Sequence, residues 1–153
     1  MPLSALPPLP KAAITVGANA ADWRDAVGLA AKALARADLV RPAYAADMVR
    51  MIEEHGPYIV VAPGLALAHA RPGPRCLAYG MSVVTLATPV AFGHPHHDPV
   101  RVVVGFSSTT PEEHLAGVAA VANVFNDESI VDRLAAAADP AEVLAILTAP
   151  SGR

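Results

Sequence analysis

The sequence has one cysteine, few aromatic residues (5%) and few charged residues (16%) among its 153 positions. A single cysteine, Cys76, excludes the internal disulfides that stabilise many small secreted domains. Because Cys76 has neither a second cysteine nor a phosphate-binding loop around it, we expect an inert thiol. The net charge of −3 gives no basic face, which argues against nucleic-acid binding.

Long apolar runs are also missing. The longest, from Tyr58 to Ala68, is too short to cross a bilayer and is interrupted by Pro63 and Gly64. The first ten residues contain four prolines and no basic stretch, which is untypical of a signal peptide. We therefore expect a cytoplasmic protein without direct membrane insertion. Residues 1–11 are expected to form a Pro-rich tail, and residues 12–148 the folded domain.

The pattern of apolar residues predicts helices and strands in mixed order. Helices are expected after the cap Asp22, after Pro42, and at the starts marked by Thr110-Pro111, Asp127 and Asp139-Pro140. Strands are expected over 12–16, 58–62, 65–68, 79–86 and 100–106, where short runs are rich in β-branched or other apolar residues. This order predicts an α/β fold, a three-layer sandwich in which helices flank a mixed β-sheet.

One segment carries a specific resemblance. The run GPYIVVAPGLALAHARPG, from Gly56 to Gly73, is similar to the active-site segment of enzyme IIA domains of the bacterial sugar phosphotransferase system (PTS). The branch that it most resembles is the ascorbate type, within the mannitol/fructose-type superfamily (EIIA type-2). The resemblance continues through Pro89–His94, Asp98–Val100, His114-Leu115 and Asn123–Glu128.

The resemblance implies a site and a function. His69 corresponds to the phosphorylated histidine and His114 to the second active-site histidine, while Arg71 would bind phosphate. The implied activity is that of a phosphotransferase: His69 accepts phosphate from phospho-HPr and passes it to a cysteine of enzyme IIB during uptake of an ascorbate-type sugar acid or related carbohydrate. No cofactor is implied. The alternative is a regulatory EIIA-like domain whose phosphorylation state controls a partner without sugar transport.

Two positions depart from the family pattern. The proline that the family has just before the histidine is Ala68 here. The carboxylate that mannitol-type members carry ahead of the motif is Pro63, as in the ascorbate-type branch. The second change favours the ascorbate-like branch.

The residue types at this implied site suit phosphoryl transfer. Phosphoryl transfer needs a neutral, positioned nucleophile and donors for the phosphoryl oxygens, and imidazole is largely unprotonated near neutral pH. His114 falls in the first turn of a predicted helix, where an anion is stabilised, and Arg71 can add a forked donor. The chain never has Gly followed by Lys, so it contains no P-loop for ATP.

The segment Gly93–Asp98 contains three histidines and an aspartate, which together raise the possibility of a metal site. The spacing of His94, His96 and His97 around Pro95 is too compressed for a familiar zinc site. We therefore expect no metal there and interpret the segment as an exposed loop near the active face.

Overall fold

The computed structural model describes residues 6–127 and 129–148. Its elements are, in chain order, β1 (Ile14–Ala18), α1 (Trp23–Arg36), α2 (Tyr44–His55), β2 (Val60–Ala62), β3 (Leu65–Ala68), β4 (Gly80–Val90), β5 (Val100–Ser107), α3 (Pro111–Val124), α4 (Ser129–Ala135) and α5 (Pro140–Thr148). A short 3-10 helix, Lys11–Ala13, precedes β1. None of the helices among these residues is long and apolar enough to cross a membrane.

The five strands form one mixed sheet in the order β1-β4-β5-β3-β2. The pairs β1 with β4 and β3 with β5 are parallel, whereas β4 with β5 and β2 with β3 are antiparallel. The three central strands are almost wholly buried, which explains why their sequences are apolar at nearly every position.

Successive residues of each strand face opposite sides of the sheet, and each side has its own apolar cluster. Ala66, Ala68 and Val103 pack with α1 and α2, while Leu67 and Val104 pack with α3, α4 and α5. The predicted three-layer α/β sandwich with a mixed sheet is confirmed.

Two glycines allow the helices to lie close to the sheet. A Cβ atom on Gly105 of β5 would overlap the Ser82 side chain and press on Ala30 of α1. A Cβ atom on Gly117 of α3 would overlap the ring of Phe106. Close packing at Gly117 brings the start of α3 towards the end of β5.

The N-terminal segment differs from the sequence-based expectation. Residues 1–5 lie outside the described residues, but Leu6 and Leu9 pack against the cluster under α3, α4 and α5. The carbonyl of Pro8 accepts a hydrogen bond of 2.9 Å from the Met81 amide. The expectation that residues 6–11 lie outside the fold is therefore wrong, because apolar side chains between the prolines bury themselves at the sheet edge.

Candidate active site

His69 follows directly after β3, whose last residue, Ala68, is paired with Gly105 of β5. This pairing holds the backbone just before His69 in the sheet. By the alternation along the strand, His69 faces the same side as Leu67, towards α3. The residue is partly buried and keeps some access to solvent.

The two ring nitrogens of His69 differ in their surroundings. Nδ1 lies 3.0 Å from the carbonyl oxygen of Leu67. A carbonyl oxygen only accepts, so Nδ1 carries the proton and donates it. Nε2 is then unprotonated in the neutral ring and holds the lone pair that a nucleophile needs.

Burial lowers the pKa of His69 from its ordinary value of 6.5. The hydrogen bond to Leu67 opposes this shift, and the nearby ring of His114 adds to it. Since the net direction is downward, the His69 ring is neutral at neutral pH.

His114 lies beside His69. It belongs to the first turn of α3, where Thr110 caps the helix by accepting a hydrogen bond of 3.1 Å from the Glu113 amide. The ring centroids of His69 and His114 are 5.3 Å apart, with the rings tilted by 51°. Nδ1 of His114 is buried and has no hydrogen-bond partner in the described part of the chain.

The ring of Phe106 supports both histidines. Its centroid lies 6.5 Å from that of His69 and 5.7 Å from that of His114. Phe106 is itself fully buried near the end of β5. Both histidine rings therefore pack against the same apolar side chain, which limits the movement of either ring.

Arg71 lies outside this ring cluster. Its side chain is exposed and makes no hydrogen bond to another described residue. Its charge lowers the pKa of Tyr58, although burial raises that pKa more. The ring of Tyr58 packs edge-on against His69, at 6.1 Å between centroids, so the exposed Arg71 acts on a residue at the rim of the site.

Two tyrosines at the site were not identified from the sequence. Tyr58 is 43% exposed and covers one side of the His69 ring. The buried hydroxyl of Tyr44 is hydrogen-bonded to the backbone of Ala70, next to His69. The only sequence signal for Tyr44 is a polar-tipped ring on the apolar face of α2, which does not reveal its bonding partner.

The histidine-rich loop does not lie near these residues. It precedes β5, and Leu65 at the start of β3 is paired with Val102 near the start of β5. His96 and His97 line a cavity of about 480 Å³ together with Pro63. The expectation of a loop near the active face is wrong, because the parallel strands β3 and β5 carry His69 at the opposite end of the sheet.

The polar atoms of that loop are largely occupied by its own backbone. Nδ1 of His94 accepts the amides of His96 and His97, each at 3.1 Å. The carboxylate of Asp98 accepts the amides of Phe92, Gly93 and His94. Within residues 6–127 and 129–148, no group of three or more His, Cys, Asp or Glu side chains is placed to hold a metal ion.

A sequence profile for "Phosphoenolpyruvate-dependent sugar phosphotransferase system, EIIA 2" matches residues 8–149. The chain belongs to this family. It is thus a phosphotransferase component of the sugar relay, of the kind that carries phosphohistidine. The resemblance found in the segment around His69 is confirmed.

Known members of the family agree in sequence and in fold. The "Ascorbate-specific PTS system EIIA component" of Shigella boydii is 37% identical over 135 residues, 88% of each chain. The mannitol-specific cryptic phosphotransferase enzyme IIA CmtB of Escherichia coli superposes with a TM-score of 0.81 at 27% identity, covering 96% of this chain and 98% of that one. The mannitol enzyme IIA of Escherichia coli in its complex with phosphorylated enzyme IIB superposes with a TM-score of 0.77 at 26% identity, covering 88% and 93%.

Proposed function

We propose that His69 accepts a phosphoryl group on Nε2 from phospho-HPr and passes it to a cysteine of enzyme IIB. The observation that carries this proposal is the hydrogen bond from Nδ1 of His69 to Leu67, which leaves the lone pair on Nε2 of a ring that packs beside His114. The lowered pKa of His69 keeps that lone pair free near neutral pH.

The relay consists of two successive displacements at phosphorus, one onto His69 and one from His69 to enzyme IIB. In the first step the Nε2 lone pair of His69 forms a new N–P bond while the N–P bond in the phosphohistidine of phospho-HPr breaks. The electrons of the broken bond return to the histidine ring of HPr. In the second step a thiolate of enzyme IIB attacks the same phosphorus and His69 leaves as a neutral imidazole. Neither step needs a cofactor, because positioning and charge stabilisation supply the catalysis.

In this proposal His114 and Arg71 bind the oxygens of the phosphoryl group. With Nδ1 of His114 buried, Nε2 is the atom left to donate a hydrogen bond towards the phosphoryl group on His69. The first turn of α3 adds the positive end of a helix dipole. Arg71, exposed at the rim, can turn its guanidinium onto an outer oxygen once the group has arrived.

The cargo that we propose is a sugar acid of the ascorbate type or a related carbohydrate. Support comes from the curated relatives named as ascorbate-specific, which align over 88% of this chain at 36–37% identity. The proposal of enzyme IIB as the next partner is supported by the mannitol enzyme IIA, whose structure was solved bound to phosphorylated enzyme IIB.

The test is phosphorylation of the purified chain by phospho-HPr. We expect one acid-labile, alkali-stable phosphate per chain, and none in a His69→Ala variant that retains its fold. His96→Ala is the matched control, since it removes an exposed histidine at the far end of the sheet, and it should be phosphorylated fully. Full labelling of His69→Ala, or phosphate recovered on His114 of the unaltered protein, would contradict the assignment of the acceptor.

A further inference from the structure

The hydroxyl of Tyr44 lies between the ends of β3 and β5. The last paired residues of these strands are Ala68 and Gly105. Just beyond them, the Tyr44 oxygen lies 2.9 Å from the Ala70 amide nitrogen, 3.2 Å from the Ala70 carbonyl oxygen and 3.1 Å from the Phe106 carbonyl oxygen. One side-chain atom from α2 thus connects the two strands where their own pairing ends.

The three residues that share these bonds are almost fully shielded from solvent. Tyr44 is 1% exposed, Ala70 is 4% exposed and Phe106 is fully buried. The hydroxyl accepts from the Ala70 amide and has one proton to share between the two carbonyl oxygens. Burial raises the pKa of Tyr44 well above its ordinary value, so the proton stays on the oxygen and both roles are kept.

The connection bears directly on His69. The backbone on one side of His69 is held by the pairing of Ala68, and the backbone on the other side by the bond from Ala70 to Tyr44. The same hydroxyl also binds the backbone of Phe106, whose ring packs against both His69 and His114. Tyr44 therefore bonds both to the segment that carries the acceptor and to the residue beneath it.

We propose that Tyr44 is a positioning residue for phosphoryl transfer, fixing through its hydroxyl the direction in which Nε2 of His69 points. This inference rests on the proposed function of His69. Tyr44 touches no reacting atom. Because a misplacement of about 1 Å can slow a reaction by roughly a hundredfold, loss of the hydroxyl should affect rate without removing the acceptor.

The test compares Tyr44→Phe with Ser107→Ala in single-turnover phosphorylation by phospho-HPr. The second variant removes another buried hydroxyl, one that donates to the Ala78 carbonyl at 2.9 Å and leaves the His69 segment untouched. We expect the maximal rate of Tyr44→Phe to fall roughly tenfold to a hundredfold. The donor concentration at half-maximal rate and the final one phosphate per chain should stay unchanged, and Ser107→Ala should react at the wild-type rate.

A second measurement separates positioning from general destabilisation. The nitrogen NMR signals of His69 report which ring nitrogen carries the proton, and in Tyr44→Phe we expect the Nδ1–H form to lose its dominance while Ser107→Ala retains it. A wild-type rate in Tyr44→Phe, or an equal loss of rate in both variants, would overturn the proposal.

Should Tyr44→Phe fail to fold, a variant with para-aminophenylalanine at this position carries the test. Its amino group can still donate to the carbonyl oxygens of Ala70 and Phe106, but its lone pair is delocalised into the ring and accepts poorly from the Ala70 amide, so a folded protein with a severalfold lower maximal rate is expected. A wild-type rate there would overturn the inference. Failure of the proposed function would give a different result from failure of the inference about Tyr44. In that case the His69→Ala variant would still take up phosphate, whatever the rate measured for Tyr44→Phe.

Discussion

The imidazole rings of His69 and His114 have their centroids 5.3 Å apart, although one residue follows a central strand and the other lies in the first turn of a helix in the next layer. Both rest on Phe106, and the glycine at position 117 lets the helix approach that ring. The pair therefore depends on the packing of α3 against β5 and not on any local sequence motif.

Replacing His114 with alanine should slow phosphorylation without preventing it. His69 keeps its hydrogen bond to Leu67 and its lone pair, but the transferring group loses one donor. Loss of one such contact costs roughly 2 to 4 kcal/mol of transition-state stabilisation, or about a hundredfold to a thousandfold in rate. Single-turnover phosphorylation with excess phospho-HPr measures this, and His96→Ala serves as the control. Wild-type rates in His114→Ala would remove His114 from the mechanism.

The pH dependence of His69 should reflect its burial. Because burial lowers the pKa, the midpoint of its titration, followed by NMR in the isolated protein, should lie below 6.5. The rate of phosphorylation should fall as the pH drops through that midpoint, because the protonated ring has no lone pair.

The same shift has a consequence for stability. An unfolded chain binds the proton at a higher pH than the folded one, so the contribution of His69 to stability is present above pH 6.5 and is lost as the pH falls from 6.5 through the folded pKa. A measured midpoint at or above 6.5 would show that solvent reaches the ring more freely than the structure indicates.

Removing residues 1–10 should destabilise the protein. The deletion exposes apolar surface that Leu6 and Leu9 cover, and it leaves the Met81 amide without the Pro8 carbonyl. We expect a loss of about 3 kcal/mol, which lowers the melting temperature by roughly 10 °C in a domain of this size. The double variant Leu6→Ala/Leu9→Ala should account for much of this loss without altering residues 1–5. An unchanged melting temperature in both proteins would place the segment outside the cooperative fold.

The loop from Gly93 to Asp98 should hold no stoichiometric metal. Its Asp98 carboxylate and the Nδ1 atom of His94 accept backbone amides, so a metal would have to displace these bonds. Metal analysis of protein purified without a histidine tag measures this directly. Close to one zinc per chain that disappears in His96→Ala/His97→Ala would contradict the prediction.

Local sequence signals predicted most of the helix boundaries. Asp22 caps α1 by accepting from the Asp25 amide, and Gly56, with φ of 84°, ends α2. At α3, the S/T-x-x-E pattern of Thr110 and Glu113 is typical of a capping box, in which each side chain binds the backbone amide of the other residue, and only half of it forms. Thr110 caps the Glu113 amide, but the carboxylate of Glu113 accepts from Thr109 rather than from Thr110. These features depend on residues a few positions apart, so the sequence is enough to predict them.

The candidate site likewise could be predicted from the sequence only in part. His69 could be selected from the sequence because its motif is continuous along the chain, and the mixed α/β sandwich followed from the order of apolar patterns. The hydroxyl of Tyr44, the ring of Phe106 and the distance to His114 were decided only by the tertiary structure, since each is a contact between elements far apart in sequence. The histidine loop shows the same limit, because only the parallel pairing of β3 with β5 determines which end of the sheet it occupies. Periodicity specifies which face of an element is apolar, whereas the partner that covers this face is selected by packing in three dimensions.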